Sequence, residues 1–405
     1  MKYILVKTPS ILLSMAVLLC LGCNSSSSDK SDESLDVQND EQALAERVTY
    51  TDQEVVVDDS ATKNKPYAKA ADIASLTLVA QIAPPQLEGV NLQANEVIIE
   101  GSKAYIGYNV QGETFAGAID VIDISQANKP KLISSAVFND TDVNGLAMHD
   151  KELYLAAATS NSNYSSPAIF QRILLSGGKL SDDYLTVDLP SFAGTDVNVS
   201  AKYVYVTSGA QAGYVTVLNS GDYSLHNSVA VDDARGVAVD NSDVAIIAGT
   251  NARLFLFDNE AGVLSQEYTL TGATIPYSKS TVEIIRNKAI LGLGDGGTQI
   301  VCLTDGKVLE KIEQPVLDSV DSQATVTNAV TAYKRSLFMA NGEAGVYMAV
   351  AVSNFKDKDC EENALQVVGK LQLEASTSVN HITYRNDILF VASGLGGLKI
   401  IKVDD

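Results

Sequence analysis

A short motif recurs seven times along the chain, and nothing else limits its fold so sharply. Each copy pairs two apolar runs around a turn, as in Asn95–Ile99 with Ala104–Gly107, Asn144–Met148 with Leu153–Ala156, and Asn380–Tyr384 with Leu389–Ala392. The copies begin at Asn95, Asn144, Thr195, Arg235, Ser280, Asn328 and Asn380, at spacings of 49, 51, 40, 45, 48 and 52 residues. Such spacing suits four antiparallel strands with their turns. From residue 75 onward the apolar runs are punctuated by Gly, Asn, Asp and Ser, which is an all-β signature. One such unit is too thin to bury both faces. Units packed radially around an axis bury one another, which also explains why the inner runs are continuously apolar instead of alternating.

The expected fold is therefore an all-β propeller of seven four-stranded blades over residues 75–405. The last copy, residues 376–405, supplies only three strands. Leu76–Ile82, just ahead of the first copy, has the pattern of outer strands such as Lys131–Phe138 and Leu365–Leu373. It is expected to close the last blade, so that no half-blade keeps a bare edge.

The first seventy residues follow other rules. Lys2 and Lys7 precede an apolar stretch, Ile11–Leu21, too short to span a bilayer. It ends in Cys20-Leu21-Gly22-Cys23, which resembles a bacterial lipobox, with Cys20 standing where that motif prefers Leu. The resemblance implies a signal peptide over 1–22 and lipidation of Cys23. Asn24 is not the Asp that retains enterobacterial lipoproteins in the inner membrane, so attachment to the outer membrane is expected, on either its periplasmic or its surface side. Residues 23–74 open on a Ser run and are poor in apolar side chains, which predicts a flexible tether, with a short helix allowed near Glu41–Arg47.

Ala118–Ser125 (AIDVIDIS), the following Asn128–Ile133 (NKPKLI), and Gly397–Val403 (GLKIIKV) resemble LVIVD repeats. The likeness covers residues 75–405 and is clearest in the first, sixth and seventh units. It implies a secreted or surface β-propeller and no particular activity. Asp120 and Asp123 fall where that family often places polar residues.

Chemistry, if any, should gather where the inner strands begin. Asn95, Asn144, Thr195, Arg235, Ser280, Asn328 and Asn380 would ring one mouth of the central channel, with Glu96, Asp196 and His381 one step along. The plainer reading is that each Asn amide satisfies backbone groups in its own inter-blade loop. The sharper one is a polar funnel for a ligand or for calcium, similar in residue type to the calcium-holding mouths of gluconolactonase-like and paraoxonase-like propellers. Asp140-Thr141-Asp142-Val143-Asn144-Gly145 also opens like a calcium loop, making Asp140, Asp142 and Asn144 candidate ligands, but its twelfth position is Lys151 where a bidentate Glu is needed. An acidic inter-blade turn is the simpler account.

Of three histidines, His149 falls in a turn, His226 in an outer region, and only His381 could face a carboxylate such as Glu96 as a general base. No G-x-S-x-G accompanies it. Gly292–Gly297 joins two strands and is no phosphate loop. Cys302 sits in a strand and Cys360 in a charged loop; the envelope permits a disulfide, yet such positions need not meet. Acidic side chains outnumber basic ones 50 to 29, for a net charge of -21, which repels phosphate backbones and argues against nucleic acid as a partner. Trp is absent and no C-x-x-C-H is present, which disfavours quinone and haem propellers. The expected function is a non-catalytic binding or scaffold module of the bacterial envelope, without catalytic residues or cofactor. Its partners would be the membrane, through the lipid, and an envelope protein or small ligand. The alternative is a calcium-dependent hydrolase or lactonase at the channel mouth.

Overall fold

Runs rich in Val, Ile, Leu and Tyr pair with their sequence neighbours, since closing a hairpin costs less entropy than closing a long loop. The computed structural model describes residues 35–58 and 75–404, apart from 113, 127, 210–211, 241, 250, 277, 319 and 374–377. Over these residues the pairing yields seven antiparallel blades and one small hairpin, Gln86–Leu87 with Val90–Asn91.

Blade 1 runs inner to outer as Gln93–Glu100, Lys103–Asn109, Gly117–Asp123 and Lys131–Phe138. Blades 2 to 6 repeat that order, with inner strands beginning at Thr141, Ala193, Ala234, Val282 and Ala329. Blade 7 takes His381–Arg385, Ile388–Ala392 and Leu398–Asp404 from the C-terminus, and its outer strand is Ser75–Ile82. That strand pairs antiparallel with Leu398–Asp404 from Ile82 opposite Leu398 to Ser75 opposite Asp404. The fold and its closure by an N-terminal strand agree with the reading of the repeat.

The hydrophobic core lies between blades. Tyr108 and Ile106 of blade 1 pack with Phe390 and Ile400 of blade 7, while Tyr105 and Ile119 on the other face meet Leu146 and Leu155 of blade 2. Three Gly-rich turns add a second tie. Gly294, Gly342 and Gly394 adopt left-handed φ of 56°, 53° and 52° and bridge to Thr327, Val379 and Ala94 of the following blade. A β-branched residue would be strained there. Gly292–Gly297 is thus a structural staple joining two strands.

The tether needs correcting over part of its length. Leu35–Asp58 lies along the rim as a strap: Leu35–Gln38 adds a fifth strand to blade 1, Val48–Glu54 to blade 7, and Val57–Asp58 to blade 6. Between the first two, Glu41–Ala45 forms the short helix, capped by the Asp40 carboxylate, which accepts from the N–H groups of Gln42 and Ala43. Arg47 then reaches inward. Its guanidinium makes a bidentate pair with the fully buried Asp120, at 3.0 and 2.5 Å, and donates to Ser135, while the Tyr108 hydroxyl donates to the same carboxylate. Burial, then the Asp120 charge, holds the Tyr108 phenol well above its ordinary range. Asp120 is therefore the anchor of the strap. The signal peptide, Cys23 and residues 59–74 lie outside the described residues.

Cys302 and Cys360, whose pairing the sequence left open, are joined by a disulfide. The blade 6 loop folds back over blade 5, held by the buried Lys288, whose ammonium donates to the carbonyls of Phe355 and Lys358. Among the described residues no helix is long and apolar enough to cross a membrane.

Candidate functional site: the mouth of the central channel

Each inner strand has a partner on one side only, so a propeller leaves seven rows of unpaired N–H and C=O groups around its axis. Here the side chains that open one inner strand satisfy the backbone of the next blade. The Asn95 amide donates to the carbonyls of Val143 and Asn144, Asn144 to Gly194, the Thr195 hydroxyl to Ala234 and Arg235, Asn328 to Val379, and Asn380 to Ala94, which closes the circle. Arg235 serves the gap between blades 4 and 5, donating to Ser278, Ser280 and the carbonyls of Ala273 and Ile275, with its charge balanced by Asp233 at 2.8 Å, while blades 5 and 6 are tied by the Gly294–Thr327 backbone bridge. Six of the seven residues at that register thus bond the following blade, where the plainer reading of the sequence placed the bonds within each residue's own loop.

A second tier answers the N–H groups. Glu96 accepts from Leu146, Asp196 from Val237 at 2.8 Å, and the Nδ1 of His381 from Val97 at 3.4 Å. Two residues deeper, Glu283 accepts from Ala332 at 3.0 Å and Thr331 from Tyr384 at 3.2 Å. Glycine stands at this tier in blades 2 and 4 for want of room. A Cβ on Gly145 would lie 2.5 Å from the Cα of Asp196, and one on Gly236 would lie 2.4 Å from the Ser280 carbonyl oxygen.

One residue that the repeat did not reveal completes the mouth. Lys279 comes from the loop before blade 5, which is not a neighbour of blades 1 and 2, so its side chain crosses the axis to reach them. Its ammonium lies 2.8 Å from Glu96 Oε2, 3.2 Å from the Asn95 carbonyl and 3.0 Å from the Asn144 carbonyl. Burial raises the Glu96 carboxyl above its ordinary range, opposed by Lys279. Burial and then the Glu96 charge raise Asp196 further, again opposed by Lys279. His381 is driven well below its ordinary range by burial and by the Lys279 charge. The imidazole is neutral, with Nδ1 occupied by the Val97 N–H and Nε2 4.0 Å from Glu96. A base needs a free lone pair, and His381 offers none to a substrate.

The proposed calcium loop is dispersed in the same way. Asp142 Oδ1 accepts from the N–H groups of Val110 and Ala116, Asn144 Oδ1 accepts from Asn109, and Asp140 accepts from the Thr141 hydroxyl. Burial pushes Asp142 up to about 6, with the two N–H bonds opposing. Among the described residues no three acidic, His or Cys side chains converge as metal ligands. His149 ends the inner strand of blade 2, and His226 lies on the outer strand of blade 3, its ring nitrogen 2.9 Å from the Ala261 carbonyl.

Glu283 provides a pH test. Burial moves it from an ordinary 4.5 to about 7, opposed by the Ala332 N–H. Between those values the folded protein holds a proton that the unfolded chain has released, so stability falls as pH rises from about 4.5 to 7. The full effect is roughly 3 kcal/mol, an upper bound because Glu283 keeps part of its surface open to the channel. Glu283→Gln keeps an acceptor for Ala332 and removes the charge. In urea titrations at pH 4.5 and 7 the variant should decline less than the wild type, by up to roughly 3 kcal/mol, with the rest of the decline left to the buried Asp142, Asp196 and Glu96; an equal decline in both would refute this account.

No family model matches the sequence, and no curated protein is similar enough to be called a relative. Solved structures resemble the fold. The RRP9 WD40 repeats superpose at a TM-score of 0.57 with 13% identity, over 80% of this chain and 99% of that one. A chain of the mitotic checkpoint complex gives 0.54 with 10% identity, over 84% and 95%. At such identities the likeness supports the propeller architecture alone.

Proposed function

We propose that the protein is a lipid-anchored, non-catalytic binding module of the bacterial outer membrane, held through Cys23, whose rigid disc presents its surface to an envelope protein. The observation that carries this reading is the commitment of the axial side chains. Where a propeller hydrolase would need free oxygens or a free base, Asn95, Glu96, Asn144, Asp196, Arg235, Asn328, Asn380 and His381 are bound to neighbouring blades or to Lys279. What stays open is surface. Val90, on the small hairpin, and Phe192, Val316 and Leu395, on loops of the mouth face, are exposed apolar side chains of the kind that proteins bury on partners.

Crosslinking in the intact envelope, followed by identification of what is joined to the protein, tests the proposal. A discrete protein partner should be captured from the membrane fraction, and Cys23→Ala should release the protein from that fraction. Ester or lactone turnover by the purified protein, lost in Glu96→Gln, would contradict it.

A further inference from the structure

Building on the binding-module reading, we infer that the outer edge of blade 4, Val263–Thr269, is a docking site for an extended, basic segment of a partner protein, which adds to the blade as a fifth antiparallel strand. The chain demonstrates this mode on itself. Blades 1, 6 and 7 each carry an added strand from the strap, always antiparallel to the outer strand. Among the described residues, blades 2 to 5 carry none. An uncovered edge is a template of unpaired N–H and C=O groups, and proteins usually defend it with Lys, Pro or very short strands.

Blade 4 has the weakest defence of the four. Blade 2 ends in a strand bearing Lys179, Asp182, Asp183 and Asp188; blade 5 ends in five residues that include Glu310 and Lys311. In blade 3, His226 and Asn227 reach over to the blade 4 turn at Ala261 and Gly262. Val263–Thr269 has seven residues without Lys or Pro, and Val263 and Leu264 are 43% and 37% exposed beside Leu225 of blade 3 at 45%. Its bulge at Ser265 is no obstacle. The outer strand of blade 7 bulges at Val79 and still accepts Val48–Glu54, whose own register shifts to match.

Charge selects the occupant. At the turn end of this edge a surface cavity of about 330 Å³ opens between blades 3 and 4, lined by Lys202, Asp240, Asn259 and Glu260 among others. Asp243, Asp258 and Glu267 lie on the same blade, so five carboxylates face two cations, Lys202 paired with Glu260 and Arg253 paired with Glu267. A second copy of a chain with net charge -21 would be repelled. An extended segment alternating apolar and basic residues would satisfy the edge, cover Val263 and Leu264, and place a cation toward Asp240 and Glu260.

The test uses the detergent-solubilised full chain and a capped nine-residue peptide alternating Val and Lys, read by hydrogen exchange and mass spectrometry. The peptide should slow exchange of amides in 263–269 at least tenfold at saturation. A Val/Glu peptide should not, and neither should the Val/Lys peptide N-methylated at alternate amides, which keeps the charge but removes the strand donors. Leu264→Asp, which deepens the negative charge but removes apolar cover, should weaken the effect. Protection by the N-methylated peptide would reduce the site to charge adsorption and overturn the inference. So would equal protection of the outer strands of blades 2, 3 and 5, no protection at all, or slowing of 263–269 with protein concentration alone. Any of these leaves a partner captured elsewhere on the disc, and hence the binding-module reading, intact.

Discussion

A chain that begins at Ser75 will fold, with a melting temperature lowered by roughly 5 °C, whereas a chain that begins at Ala83 will not form a stable closed ring. The first lacks only the strap. It loses the cover of Leu44 and the Arg47 pair, a few kcal/mol in all, but water then reaches Asp120 and limits the loss. For a domain of this size that corresponds to about 5 °C. The second also lacks Leu76, Leu78 and Ile82, each buried against blades 6, 7 and 1. At about 1.5–3 kcal/mol for each large side chain, before any ladder hydrogen bond is counted, the loss rivals the whole stability of a typical domain. Arg47→Met alone bounds the strap's contribution, because the strap can detach and let Asp120 hydrate. The cost of that substitution cannot exceed the free energy of strap docking. Circular dichroism melts of the three proteins check the order. A chain from Ala83 that melts cooperatively near the wild-type temperature would refute the closure argument.

Lys279→Met should be the most damaging single substitution at the mouth. It leaves Glu96 and Asp196 buried together without the ammonium that now lies between blades 1 and 5, and removing one partner of a buried pair costs about 3–5 kcal/mol. The two carboxyls can escape by protonation, so the loss should grow as pH rises from 5 to 8. Adding Glu96→Gln to Lys279→Met should recover much of the stability, since the pair is then removed together. Denaturant titration of the two single variants and the double variant checks this. Independent, additive losses would mean that the 2.8 Å contact carries no coupling.

The ring of Asn95, Asn144, Thr195, Arg235, Ser280, Asn328 and Asn380 was legible because its members recur at one register of a repeat. The bonds they make were not, because a side chain two atoms long reaches its own loop and the next blade equally well on paper. Lys279 lay one residue before that register, where the other blades carry Ala94, Val143, Gly194, Ala234, Thr327 and Val379, so periodicity carried no trace of it. The strap escaped for a different reason. Edge pairing uses backbone groups that every residue has, and Leu35, Val37, Leu44, Val48 and Tyr50 are too widely spaced among polar residues to read as core. Ion pairs hold it by charge, the half-buried Arg47 with Asp120, 73 positions apart, and the more exposed Glu41 with Lys179 at 2.7 Å. The Asp140–Gly145 string has oxygens of the kind that calcium favours, and as in the simpler reading they serve the turn: Asp142 accepts from the N–H groups of Val110 and Ala116, Asn144 from Asn109 and Asp140 from the Thr141 hydroxyl.

The channel mouth carries its own cation and its own hydrogen-bond partners, so its polar residues serve the fold. Calcium titration of the wild-type protein by calorimetry, paired with melting at millimolar calcium, tests it most directly. The account predicts no binding heat and an unchanged melting temperature, in the wild type and in Asn144→Ala alike. A saturable heat with a raised melting temperature, both abolished by Glu96→Gln, would contradict it and return the mouth to the class of metal sites.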